Sequence, residues 1–491
     1  MSNISYAVVA ALLVISLAAC SGKASTPASL LPDAMTSTPV TNDKVSLQQS
    51  TINWNTYKYE LSQDNTIVEG SFDGVTITQK TFKSWVLENK YLKVTVVPEF
   101  GGRIISIIYK PTGHEELYRN PVGVPYSVGE DVFYYDWLMI YGGIFPTFPE
   151  PEHGKTWLLP WDFQIIKNTD QEVTIAMFIK DDIDNPSAPD KYNVGVTDIE
   201  AAFYVTVKAG SAAVDTTIEL KNPGVNPVAY EYWTNTALSP GSDHLDPRAT
   251  NGAEIIATTE KVKIPSWCNA ISSQEILAGE PETYYFKNLR HYKNWPDPGI
   301  AYASPDMTGG NFWGVINHDN EEGFFRIADN KITPGLKIWT FGYPYSSVVD
   351  PYKTTDPRRP FIELWAGVTK EFWSRAIFPA NHQFEIKETY SPSVGLTNVT
   401  HANENFLVNL YTDNSFIVNC QLFSINPDEP VNVSLFVDGT TIYNSTITPD
   451  PQNSIQISVK IPANSSKGSI KLVVKDTDGT ELFTGSIPVN N

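Results

Sequence analysis

With 491 residues, 41% of them hydrophobic and 12% aromatic, the chain has room for two to four domains of roughly 100–200 residues and is too apolar to be disordered throughout. Its 35 Lys and Arg against 55 Asp and Glu leave a formal charge of −20, which excludes a polyphosphate backbone as a natural partner. Cysteine occurs only at Cys20, Cys268 and Cys420, so neither a disulfide scaffold nor a cysteine zinc site can be built.

Residues 6–19 form an uncharged apolar run that would make a helix about 21 Å long, short of the roughly 30 Å hydrocarbon core of a bilayer. The run reads as a signal peptide over residues 1–19, although no Lys or Arg precedes Cys20. Leu17-Ala18-Ala19-Cys20 is similar to a bacterial lipobox, in which small residues admit the peptidase and the thiol takes the lipid. The other reading is an ordinary secretory peptide with an incidental cysteine. The lipobox reading predicts a chain anchored by lipid on the extracytoplasmic face of a membrane, the anchor being its one contact with the bilayer. Residues 20–50 are rich in Ser, Thr, Pro and Ala and are expected to be a disordered tether.

From Thr51 onward, β-branched residues alternate with polar ones in short runs bounded by Gly, Pro, Asn and Asp. Residues 91–97, 172–178, 202–207, 455–461 and 469–474 are examples, and period two predicts half-buried antiparallel strands. No amphipathic helix of several turns is evident, so the fold class is all-β. A boundary is expected near Pro392–Ala402, because Trp, Tyr and Pro are plentiful before it and Trp is absent after it. Turn signals such as Asp438-Gly439 and Asp478-Gly479 predict a small β-sandwich of immunoglobulin type over residues 398–491. Cys268 and Cys420 then fall in different domains and are not expected to pair.

Within residues 51–392, a strand runs to Pro98, a Gly101-Gly102 turn follows, and a second strand begins at Arg103. Further motifs follow in order: Tyr118-Arg-Asn-Pro121, Gly142-Gly-Ile-Phe-Pro-Thr-Phe-Pro149, Glu152-His-Gly154, Tyr232-Trp-Thr-Asn235, His291-Tyr-Lys-Asn294, Lys337-Ile-Trp-Thr-Phe-Gly342 and Phe361-Ile-Glu-Leu-Trp-Ala-Gly367. Together they resemble the domain-of-unknown-function family 5107 (DUF5107) of the galactose mutarotase-like superfamily. That resemblance implies a two-sheet β-supersandwich whose concave face binds carbohydrate.

The superfamily's chemistry, carried over on matching positions, implies Glu363 as the late-strand base and His153, in its His-Gly pair, as a sugar-holding or proton-handling group. A carboxylate in an apolar strand is expected to be desolvated and its pKa raised, unless Arg358, Arg359 or Arg375 pairs with it structurally. Glu150 and Glu152 beside His153 are expected to orient it or raise its pKa. The segment that would carry the superfamily's second histidine reads Tyr232-Trp233-Thr234-Asn235, so an acid would have to come from His291, His318 or Asp297. Trp137, Tyr232, Trp233 and Trp365 offer flat faces for pyranose rings, Asn235 offers bonds to hydroxyls, and His291 is a further sugar contact. Arg103 has two readings, a contact to a sugar hydroxyl or carboxylate and a salt bridge to Glu99.

Asp181-Asp182-Ile183-Asp184-Asn185 has oxygen ligands in calcium-like density but lacks the glycine and glutamate of a calcium loop, and a solvated turn is the plainer reading. No metal site is expected. With no P-loop, dinucleotide fingerprint, nucleophile elbow or His-Glu-x-x-His, no cofactor is expected either. Two functions remain open: an anchored protein that binds and processes carbohydrate by epimerisation, hydrolysis or lysis, and a non-catalytic glycan-binding or scaffold protein.

Overall fold

The computed structural model describes residues 44–60, 68–71, 75–120, 122–123, 142–150, 152–184, 190, 192–246, 248–266, 280–296, 299–304, 306–340, 342–343, 361–426, 429–462 and 468–489. The signal run, Cys20, Trp137, Cys268, Asp297, Arg358 and Arg359 lie outside these residues. Among the described residues no helix is long and apolar enough to cross a membrane.

Two sheets make the larger body. In order across the first sheet run Thr283–Tyr285, Lys261–Lys263, Gly299–Ser304, Gly335–Thr340, Ile362–Gly367, Trp233–Asp243, His114–Leu117, Arg103–Tyr109, Leu92–Val97, Ile77–Glu88, Ser46–Tyr57 and Val122–Gly123. Ile144–Thr147 pairs off this path with Trp233–Asp243 and Arg103–Tyr109. The second sheet is ordered Ala253–Ala257, Phe312–Asn317, Glu322–Ala328, His382–Val394, Val214–Asn222, Glu200–Lys208, Glu172–Lys180 and Asp162–Asn168. Alternation sends one side chain in two from each sheet into the shared core, where Leu336, Ile338, Ile362, Leu364 and Ala366 meet Ile175, Phe203, Val205, Val214 and Ile218. Each buried Ile, Leu or Phe there contributes roughly 1.5–3 kcal/mol.

The disordered tether expected over residues 20–50 does not extend through residues 45–50. Val45 is buried, and Ser46–Tyr57 pairs along its full length with Ile77–Glu88. Ser and Thr at the start of this strand sit at half-exposed positions where polarity does not oppose pairing.

After Val394 the chain forms a β-sandwich of two four-stranded antiparallel sheets. One holds His401–Ala402, Phe406–Thr412, Ile417–Ser424 and Ile455–Lys460; the other holds Thr440–Ile447, Val431–Val437, Ser469–Lys475 and Glu481–Pro488. Cys420 is a free thiol in its core, pushed up to about 12 by burial. Phe312, Ile316, Phe325 and Ile327 of the second large sheet pack against Leu396, Val399, Leu407, Phe423 and Ile425. The sandwich therefore sits on the outer face of that sheet, and a hydrogen bond from Ala212 N to Ile425 O reinforces the seam.

Candidate functional site

Five neighbouring strands of the larger sheet place one row of side chains side by side. Cross-strand partners run Tyr302–Lys337–Trp365–Asn235–Phe145. Two residues along, Ile300, Trp339, Glu363 and Ala237 form the next row. Period two makes this face the opposite of the one that fills the core. Trp233, Ala237, Ile300, Tyr302, Trp339, Trp365 and Phe372 form a separate aromatic cluster on it. Gly367 and Gly335 are required beneath Trp233, because a Cβ on either would come within 2.3 Å and 2.8 Å of its ring.

Trp365 is the hub. Its Nε1 donates to Glu363 Oε2 at 2.8 Å, and Lys337 Nζ stands 3.9 Å above the ring centroid. His153 meets the indole edge-on at 5.0 Å, and Phe372 does so at 5.5 Å. Lys337 Nζ and Glu363 Oε2 are 3.9 Å apart, both side chains being almost wholly buried. Burial raises the Glu363 carboxyl above the usual carboxylate range, opposed by Lys337 and by the Trp365 and Asn235 side chains. Burial brings the Lys337 ammonium down to about 8, opposed by Glu363 and Glu152. The cation that faces Glu363 is thus Lys337; Arg375 acts instead on Glu231.

His153 reaches the hub from a loop that the protein holds firmly. Next to it, Lys155 pairs with Asp181 at 3.0 Å and donates to the carbonyls of Ile183 and Gly195 at 2.8 Å each. The carboxylate of Asp181 is spent on Lys155 and Thr197, a structural use for one member of the Asp181–Asn185 run. Glu152 carries a positive φ of 61°, a left-handed conformation that non-glycine residues rarely adopt. The sequence reading has Glu150 and Glu152 orienting His153 or raising its pKa. Instead burial, and then Lys337 and Arg103, hold its pKa well below the ordinary histidine value, so the ring is neutral.

Three further positions differ from their expected place. Tyr232 alternates to the other face, where it lies in the inter-sheet core and bonds Thr234. Arg103 is fully buried, and its guanidinium donates to the carbonyls of Phe100, Gly142 and Trp157 at 2.7, 3.1 and 2.7 Å. It stands over Phe100 and Phe145 as a brace for the loop behind His153, while Glu99 pairs with Lys83. His291 is drawn with His318 and Arg290 to Glu254, which sits on the edge strand of the second sheet. Neither histidine supplies the missing acid at Trp365. A lysine in a strand ordinarily reads as a solvated position, and the sequence signal for the burial of Lys337 is its place between Leu336 and Ile338 in a run bounded by glycine and tryptophan.

Two polar groups around the hub have no hydrogen-bond partner among the described residues. Nδ1 of His153 is buried without a hydrogen bond among the described residues, while the Asn235 amide faces the Glu363 carboxyl. Lys337 Nζ likewise makes none there beyond its long approach to Glu363. Leaving such groups unmet costs roughly 1–3 kcal/mol each, so a native site that keeps two together is suited to a polar guest or ordered water. Aromatic walls with a few convergent polar groups are the common composition of small-molecule sites.

Residues 69–384 match the family described as a domain of unknown function, DUF5107, and residues 401–484 match the second domain of YphG-like proteins. Among solved structures, a TPR-domain containing protein from Parabacteroides distasonis is similar at 17% identity and a TM-score of 0.53, over 71% of this chain and 55% of its own. The chain thus spans about half the length of that protein. A galactose mutarotase-like protein from Clostridium acetobutylicum aligns over 72% of this chain and 100% of its own, at 9% identity and a TM-score of 0.44. A galactose mutarotase related enzyme from Lactobacillus acidophilus aligns over 65% and 99%, at 12% identity and a TM-score of 0.40.

Proposed function

This chain belongs to the DUF5107 family, and from that membership and the geometry around Trp365 we propose that its concave face binds carbohydrate and acts on it chemically. Its fold is the galactose mutarotase-like β-supersandwich followed by a small β-sandwich. The observation that carries the reading is the unmet Nδ1 of His153 and the Asn235 amide, set in an aromatic frame beside a carboxyl of raised pKa. Pyranoses present that same pairing of apolar C–H faces and dense hydroxyls.

In this reading Glu363 exchanges a proton with a sugar oxygen, the indoles of Trp365 and Trp339 supply flat contact, and Asn235 and neutral His153 hold hydroxyls. The Leu17-Ala18-Ala19-Cys20 motif supports lipid attachment at Cys20, which would hold the protein on the extracytoplasmic membrane face.

The test is a glycan-array screen followed by reducing-end release and polarimetry on the sugars that bind. Glu363→Gln is expected to lower turnover at least 100-fold while binding changes less than about tenfold. Binding with no turnover by the native protein would favour a purely glycan-binding role. Absence of binding across neutral, acidic and amino sugars would end the carbohydrate reading.

A further inference from the structure

We propose that Lys337 is the proton donor that works opposite Glu363 on a bound sugar. The proposal rests on the carbohydrate reading and names the acid that neither His291 nor His318 supplies.

The two buried lysines beside this loop and sheet behave differently. Lys155 is consumed by the fold, with Asp181 at 3.0 Å and two carbonyls at 2.8 Å around its ammonium. Lys337 is equally inaccessible but stops 3.9 Å short of Glu363, with no hydrogen bond among the described residues. A structural ion pair would close that distance and share a proton directly. What holds the ammonium back is the aromatic frame, Trp365 at 3.9 Å, Phe372 at 4.8 Å and Trp339 at 5.8 Å from its nitrogen. Cation–π attraction stabilises the charge without occupying its protons. The gap lets one sugar oxygen, or two oxygens on a single carbon, touch both groups at an ordinary length of about 2.8 Å.

The charged and titratable groups near Lys337 are Glu363 across one strand pair, Tyr302 across the other, and Glu152 and His153 from the loop above. Tyr302 keeps its proton, since burial and then Glu152 raise it well above the ordinary tyrosine value. His153 is neutral. Among the described residues of the group, Lys337 is then the cation with transferable protons. In the step, the Glu363 carboxylate removes a proton from one sugar oxygen, whose electron pair forms a carbon–oxygen double bond. The bond from that carbon to a second oxygen breaks, and the second oxygen takes a proton from the Lys337 ammonium. A neutral carboxylic acid and a neutral amine remain, so the net charge of the pair is unchanged, and the reverse transfer restores both.

Activity should rise as Glu363 ionises above the ordinary carboxylate range and fall as Lys337 loses its proton near pH 8. The experiment uses the full chain with α-D-glucose, α-D-galactose and para-nitrophenyl glycosides as probes, with binding followed by tryptophan fluorescence. Lys337→Met is expected to lower kcat at least 100-fold with KM changed less than tenfold. Lys337→Arg is expected to move the alkaline limb upward by more than one pH unit, and it carries the test should the Met variant not fold. An alkaline limb unmoved in Lys337→Arg, Met-variant turnover near native, or binding without turnover by the native protein would each overturn the donor role while leaving carbohydrate binding intact. Failure of every probe to bind would remove both readings together.

Discussion

Glu231 lies two residues before Trp233, just ahead of the strand that carries Asn235, and its carboxylate accepts the indole N–H of that tryptophan at 3.3 Å. Burial pushes its pKa up to about 7, with Trp233 and Arg375 opposing. A carboxyl raised from the ordinary value binds its proton more tightly when folded. Its stabilisation is therefore fully present below about pH 4.5 and lost as pH rises through about 7. Glu231→Gln should leave stability unchanged at pH 4.5 and raise it by roughly 2 kcal/mol at pH 8. Thermal melts of both proteins across that range check the sign: a gap that widened toward acid pH would contradict it. The same logic separates Glu363 from an ordinary surface carboxylate, since the desolvation that raises its pKa also makes it a more useful base near neutrality.

At the scale of the strand, Glu322–Ala328 has two working faces. Phe324 points into the inter-sheet core, whereas Phe325 and Ile327 face the carboxy-terminal sandwich. Arg326 shares the inner face, where its Nε meets Glu388 at 2.5 Å and its remaining nitrogens reach Asn330 and Thr333. A strand buried on both faces reads as a continuous apolar run, so its alternation could not reveal which neighbour each side chain would find. Phe325→Asp would place a charge in a fully buried seam and should cost at least ~3 kcal/mol. The measurement is calorimetry. The native chain is expected to unfold with the large body and the sandwich in one transition, and the variant to split it, with the sandwich's transition separate. A single unshifted transition in the variant would show that the seam contributes little.

At the scale of the whole molecule, both sandwiches belong to one compact unit, and the site row lies on the larger sheet rather than on the second sheet, whose outer face the carboxy-terminal sandwich covers. That leaves the sandwich free to brace the body without taking part in the chemistry. The proposed lipid attachment at the lipobox-like residues makes a specific prediction. Cys20→Ser should shift the protein from the membrane fraction to the soluble extracytoplasmic fraction, with sugar binding unchanged. Retention of the variant in the membrane fraction would assign the attachment to something other than a lipid on Cys20.

The sequence by itself determined the all-β class, the change of character near residue 392, and the set of segments from which the site is drawn. These follow from local rules: period-two alternation, turn residues and motif order, each readable within a few positions. Tertiary structure decided which face each residue presents and what it meets there. Tyr232 and Trp233 are adjacent in sequence and lie on opposite sides of a sheet. Arg103 reads in sequence as a sugar contact or a partner of Glu99, whereas its guanidinium meets the nearby carbonyl of Phe100 and those of Gly142 and Trp157 from distant segments. Lys337 and Glu363 are brought together only because two strands pair in one particular register. Pairing energy depends on partners far along the chain, so no window of local sequence contains the information that sets it.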